Sequence, residues 1–161
     1  MYSSLEIAAS IITKYAAIGH PITNLKLNKI LYLCQLEAIR QGYKEGIFKS
    51  EHIDDVFVAW RHGPVHHYIY DRFKRYISFP IDPNDKIVKT YYRKFDKKIE
   101  AILSSVVRLT AKLDAWELVE ILHKSPTWSC VYGKSNSLKI IPFELIQKDT
   151  LNWRKEINLK N

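Results

Sequence analysis

The stretch His62-Gly63-Pro64-Val65-His66-His67 places three imidazoles within six residues, and histidines that close together can hold a metal ion or relay protons. The spacing works against both. Pro64 suits the first position of a helix, where its missing N–H would be unpaired anyway, so His62 is expected to lie outside the helical register. His66 and His67 then point about 100° apart, and no His-Glu-x-x-His pattern or acidic ligand set accompanies them. The segment reads as a structural turn in which Gly63 supplies backbone freedom and Pro64 sets the start of a helix. Ser125, Ser129, Cys34 and Cys130 lack a nucleophile-elbow or papain-like context. The five glycines form no GxGxxG or GxxxxGK phosphate cradle. Asp54-Asp55 falls in a connection and reads as a pair of solvated turn residues. The sequence therefore offers no catalytic residue, no metal site and no cofactor site, and the chain is expected not to be an enzyme.

With 161 residues, 47% hydrophobic and 26% charged, the chain can bury about two-thirds of its unfolded surface and should form one domain. No apolar run approaches the roughly 18 to 20 residues needed to cross a bilayer, and no secretory signal is readable. Two cysteines make no disulfide framework, so a reducing cytoplasm is the expected location, with Cys34 a small buried hydrophobe. The net charge of +8 raises nucleic acid as a competing partner, because clustered cations release counterions. Yet 18 of the 25 cations are lysines scattered over the whole length, which favours a solubilising, partner-attracting surface.

Helical spacing dominates. Ser3 or Ser4 caps a first helix with Leu5, Ala8, Ile11, Ile12 and Tyr15 inward, closed by Gly19. Thr23 or Asn24 caps a second, with Leu27, Ile30, Leu31, Cys34 and Ala38 inward and Lys26, Lys29, Glu37 and Arg40 on a wet outer face. Between Tyr43 and Gly63, Ile47-Phe48 and Val56 to Trp60 suggest a small antiparallel ribbon, and Pro64 opens a third helix to about residue 76. A single helix of some 25 residues, roughly 38 Å long, is expected from Val88 to Leu109, burying Tyr91, Tyr92 and Phe95. Asp114 caps a helix from Ala115 to about His123 that can bury Trp116. Ser129 to Ser137 reads as an exposed loop, Phe143 to Lys148 as a short helix, and 152–161 as a charged, frayed tail behind a domain spanning 1–151. The fold class is mainly α (α+β): a multi-helix single domain with a small antiparallel β ribbon between the second and third helices.

Two segments carry a family resemblance. Ile22-Thr23-Asn24-Leu25-Lys26-Leu27-Asn28-Lys29-Ile30-Leu31-Tyr32 is similar to the capped Leu-Lys-Leu-x-Lys-Leu-Leu-Tyr helix of the Panacea domain, the family of SocA-like antitoxins and many phage-associated proteins. Trp60-Arg61-His62-Gly63-Pro64-Val65, followed by Tyr70 and Phe73-Lys74-Arg75-Tyr76, resembles its Trp-x-His-Gly-Pro-Val junction. A third segment, Ala115 to His123 with Pro126-Thr127-Trp128, resembles its late helix ending in His before a Trp, although Leu122 stands where the family more often has threonine. The resemblance implies a domain that neutralises a protein toxin by direct binding, and in some members an adaptor that delivers the toxin to a protease; a chaperone is a further partner of this kind. Members with an extra DNA-binding domain repress their own operon, and this chain is expected to lack room for one. The motifs place partner contacts at Lys26, Lys29, Trp60, Arg61 and His62, and structural roles at Gly63, Pro64, Tyr70, His123 and Trp128. Trp60 and Trp128, at element ends, are the aromatic residues expected nearest a partner.

Overall fold

Ser3 accepts from the backbone of Glu6 while the Glu6 carboxylate accepts from Ser3 N–H, a reciprocal cap that starts helix α1 (Ser4–Ala17). Thr23 caps α2 (Asn24–Arg40) one way, its hydroxyl oxygen accepting from Lys26 N–H. The computed structural model describes residues 1–134 and 138–161. In it α2 is the central element, packed against α1, strand β2 (Gly63–His66) and helices α3 (His67–Phe73), α5 (Lys97–Thr110), α6 (Ala115–Leu122) and α8 (Phe143–Gln147). The expected wet face of α2 is absent: Lys26, Lys29 and Glu37 are all buried, and only the Arg40 end is exposed. Each buried polar residue on this face of α2 has a partner from another part of the chain. Asn28 Oδ1 accepts from His66 N–H, Lys29 donates to the Pro64 carbonyl, Lys26 donates to the Leu113 carbonyl, and Glu37 pairs with Arg154. These bonds offset the cost of desolvating those groups.

The ribbon lies between α2 and α3, as expected, but Gly63–His66, not Ile47-Phe48, supplies the strand that pairs with Phe57–Trp60. Strand β1 (Phe57–Trp60) runs antiparallel to β2, with Phe57 opposite His66 and Trp60 opposite Gly63. Pro64 is a strand residue, and α3 starts three positions later, capped by His66. A proline is tolerated because Ala59, its cross-strand neighbour, donates its N–H outward to the Lys139 carbonyl. Ile47 and Phe48 pair instead with the N-terminus, Tyr2 N–H donating to Ile47 O and Lys49 N–H to Tyr2 O.

The expected long helix is two: α4 (Lys86–Tyr91) and α5, separated at Tyr92, where ψ is 132°. No proline or glycine marks the break. Asp96 encodes it by accepting from Lys98 and Ile99 N–H at the start of α5, and Tyr91 and Tyr92 are consequently exposed. Ser125 caps α7 (Pro126–Tyr132), so Ser129 to Tyr132 are helical rather than loop; residues 135–137 of that expected loop lie outside the described residues. The supposed frayed tail is helix α9 (Trp153–Lys160), with Trp153 and Ile157 buried and ion pairs to Glu37 and Glu120. Among the described residues no helix is long and apolar enough to cross a membrane.

Candidate partner-binding site

Gly63 adopts φ +100°, a region closed to side chains with a Cβ. A Cβ there would also come within 3.3 Å of Lys29 Cε and 3.6 Å of Leu122 Cβ. Glycine is thus required by the turn, and the Lys29 side chain beneath it leaves little room for a Cβ. The two-residue turn Arg61-His62 crosses between the strands and is exposed.

Three side chains hold the hairpin from different elements. Lys29, with no exposed surface, donates to the Pro64 carbonyl at 2.8 Å. His123, at the C-terminal end of α6, lies with Nε2 2.9 Å from the Arg61 carbonyl. Trp128, in α7, donates its indole N–H to the Trp60 carbonyl at 2.8 Å. His123 stacks on Trp128 (4.4 Å between ring centroids) and Trp128 stacks on Tyr132 (4.8 Å), while the Trp60 ring meets Tyr70 edge-on at 5.0 Å. The three resembling segments, distant in sequence, therefore converge on one hairpin, and Gly63, Pro64, Tyr70, His123 and Trp128 form its frame.

Burial without a counter-charge pushes the Lys29 ammonium down to about 7. His62 is also held below its usual value, first by desolvation and then by the neighbouring Arg61, Lys29 and His123. Its ring meets Trp116 edge-on at 4.9 Å, and Trp116, expected in the core, is 55% exposed. The Arg61 guanidinium has no hydrogen-bond or ion-pair partner among the described residues. The surface at the tip thus presents one unpaired guanidinium, an imidazole, and the exposed rings of Trp116, Tyr70 and Tyr132 on a fixed backbone.

Of the residues expected to meet a partner, Arg61 and His62 are at the tip and Trp60 is half-buried beside it. Lys29 and Lys26 are corrected from outward to buried. Lys29 lies under the turn, and Lys26 ties α2 to the carbonyls of Ala111 and Leu113, with its pKa lowered to about 8 by desolvation. Trp116 and Tyr132 were missed; the position of Trp116 two residues past the cap Asp114, in a first turn that need not be covered, was the available signal. For Lys29 the signal was its apolar company one turn away, Leu25, Tyr32 and Leu33.

The three imidazoles diverge. His62 is at the turn, His67 faces Asp54 at 3.3 Å, and His66 is buried on the opposite side of the ribbon, its Nε2 3.9 Å from Asp55. Asp55, read above as solvated, has a side chain only 1% exposed. It accepts from the Ser4 hydroxyl and from the N–H groups of Glu51 and His52. No group of three or more His, Cys, Asp or Glu side chains converges as a metal site among the described residues.

A family model described as antitoxin SocA-like, Panacea domain, matches residues 27–129, from the second turn of α2 to the middle of α7. That span holds Lys29, the hairpin, Trp116, His123 and Trp128. No curated protein and no solved structure matches the chain.

Proposed function

The chain belongs to the SocA-like antitoxin, or Panacea domain, family, and from that premise we propose that it neutralises a cognate protein toxin by binding it directly at the Arg61-His62 hairpin tip, without catalysing a reaction. The carrying observation is the Arg61 guanidinium, unpaired among the described residues, on a turn whose backbone carbonyls are bonded by Lys29, His123 and Trp128. A rigid turn loses little conformational freedom on binding. Arginine and tryptophan at the centre of an interface are the residues whose truncation costs most, often about 2 kcal/mol or roughly 30-fold in affinity. His62 adjoins Arg61 in the turn, and Trp116 meets the His62 ring edge-on. Lys26 and Lys29 support the surface from beneath and do not touch the partner. The protein works in the cytoplasm, where Cys34 and Cys130 remain free thiols.

The test is growth rescue in cells that co-express the neighbouring reading frame as toxin, paired with a thermal melt of each variant. Arg61→Ala and Trp116→Ala are expected to lose rescue at unchanged Tm. Full rescue by alanine variants of Trp60, Arg61, His62 and Trp116 together would reject this interface. Following toxin abundance in the same cells separates blocking, in which toxin persists, from delivery to a protease, in which it disappears. Salt-sensitive binding of nucleic acid by the purified chain, lost with toxin rescue on the same substitutions, would move the reading to a nucleic-acid partner.

A further inference from the structure

On the face of the ribbon away from the hairpin tip, a cavity of about 300 Å³ lies between the N-terminus, α2, the connection to β1, the end of β2 and α8. Its walls are largely apolar, with Phe48, Phe57, Ile141 and Phe143 among them. Five polar residues line it: Glu45 and Ser50 are exposed at its rim, and Gln35, Asp55 and His66 reach it from within the fold. The last three are almost fully buried, Gln35 at 4% exposure and the side chains of His66 and Asp55 at 1%.

The hydrogen bonds on the far side of each group fix what it presents to the cavity. Ile69 N–H donates to His66 Nδ1 at 3.4 Å, and burial lowers the imidazole to about 4, so the ring is neutral at pH 7 with its proton on Nε2. That N–H is 3.9 Å from Asp55 Oδ1, beyond hydrogen-bond reach. Gln35 Oε1 accepts from Ile47 N–H at 3.0 Å, which turns its amide nitrogen the other way as a donor. Neither Gln35 Nε2 nor His66 Nε2 has a hydrogen-bond partner among the described residues. Asp55 Oδ1 accepts from Ser4 Oγ at 2.7 Å and retains a second lone pair. The cavity therefore presents two N–H donors and one carboxylate acceptor within aromatic and aliphatic walls.

A ligand with two acceptors and one donor complements this set, and an imide edge, C=O, N–H and C=O, carries those three groups. A peptide group does not supply such an edge, because its N–H and C=O point in opposite directions. Among the described residues no lysine or arginine lines the cavity, whereas Glu45 joins Asp55 there, so a phosphate or carboxylate is disfavoured. We propose that this cavity binds the imide edge of a neutral planar ring, the edge carried by uracil- and thymine-type bases, with the free nucleoside as the fitting ligand. Asp55 takes the ring N–H, His66 and Gln35 donate to the two carbonyls, and the phenylalanine rings cover its faces.

Isothermal titration calorimetry on the full chain tests this with uridine, thymidine, cytidine and 3-methyluridine. Uridine and thymidine are expected to bind. Cytidine, with no ring N–H, and 3-methyluridine, in which a methyl replaces that hydrogen, are expected to be weaker by roughly tenfold or more, since each leaves buried polar groups unmatched. Gln35→Glu keeps the oxygen that accepts from Ile47 and turns the donor into an acceptor, so it should weaken uridine by a similar factor. Absence of uridine and thymidine binding at millimolar concentration, or equal binding of uridine and 3-methyluridine, would overturn the proposal. The nucleoside comparison on the unaltered chain decides it even if the Gln35 variant does not fold.

Discussion

Replacing Lys29 with methionine should change how stability depends on pH. In the folded protein burial lowers the Lys29 ammonium to about 7 from an ordinary 10.5. Between those values the unfolded chain binds more protons at this site than the folded one, so the site makes stability rise with pH. Below about 7 both states are protonated and the full cost of burying the charge is present; above 10.5 both are neutral and the cost is gone. From the folded value of about 7, the rise between about pH 7 and pH 9 is about 2 kcal/mol, the slope approaching about 1.4 kcal/mol per unit. Methionine fills a similar volume without a charge. It leaves the Pro64 carbonyl without its donor, which costs about 1 to 3 kcal/mol, but that loss does not vary with pH. Denaturant unfolding of both proteins from about pH 6 to about pH 9 should therefore give a wild-type-minus-variant difference that climbs by about 2 kcal/mol. Lys26, which also titrates in this window, is common to both and cancels. A difference that stays flat across the range would refute the argument that Lys29 is held desolvated and without a counter-charge under the turn.

Gly63→Val forces a β-branched residue to φ +100° and against Lys29 and Leu122, and is expected to cost about 2 kcal/mol or more, lowering Tm by roughly 5 °C; an unchanged melt would remove the case for a required glycine. Trp153→Ala should cost about 3 to 5 kcal/mol, as for a core aromatic, because Trp153 is fully buried. Trp153→Phe should cost much less, since the indole N–H has no hydrogen-bond partner among the described residues, and calorimetric melts of the two variants check the order. A thiol reagent should modify exposed Cys130 rapidly and Cys34 only on unfolding, because burial raises the Cys34 thiol far above its ordinary value; two equally fast equivalents would contradict the placement of Cys34.

Local signals were read correctly where they act over a few residues. Asp114 caps its helix as expected, Ser3 and Thr23 are the caps out of the pairs Ser3 or Ser4 and Thr23 or Asn24, and the backbone freedom expected of Gly63 is used as a positive φ. The break before α5 was not read, since Asp96 serves equally as a surface residue of a continuous helix and only its bonds to Lys98 and Ile99 show otherwise. The second strand of the ribbon was misplaced for a related reason: Pro64 suits a helix start, and only the outward pairing of Ala59 with Lys139 makes it acceptable in a strand. The orientation of Lys26 and Lys29 was the largest error. Periodicity identifies the most apolar face of a helix, but α2 is covered on several sides, and the carbonyls that receive its lysines come from residues more than thirty positions away. The site was legible as linear motifs; the convergence of the hairpin with His123 and Trp128 depends on the folding of the intervening chain.

The polar residues along α2 have a consequence for how the chain comes apart. Lys26, Asn28, Lys29 and Glu37 each bond a segment far away in sequence, at Leu113, His66, Pro64 and Arg154. Detaching any one segment leaves a polar or charged group of the central helix without its partner, at about 1 to 3 kcal/mol for a hydrogen bond and more for a charge. Partial opening is therefore penalised from every side, and the fold should open as one cooperative unit rather than piece by piece. A cellular protease would then find few nicked or half-open forms to begin on, and turnover of the chain would track its global stability.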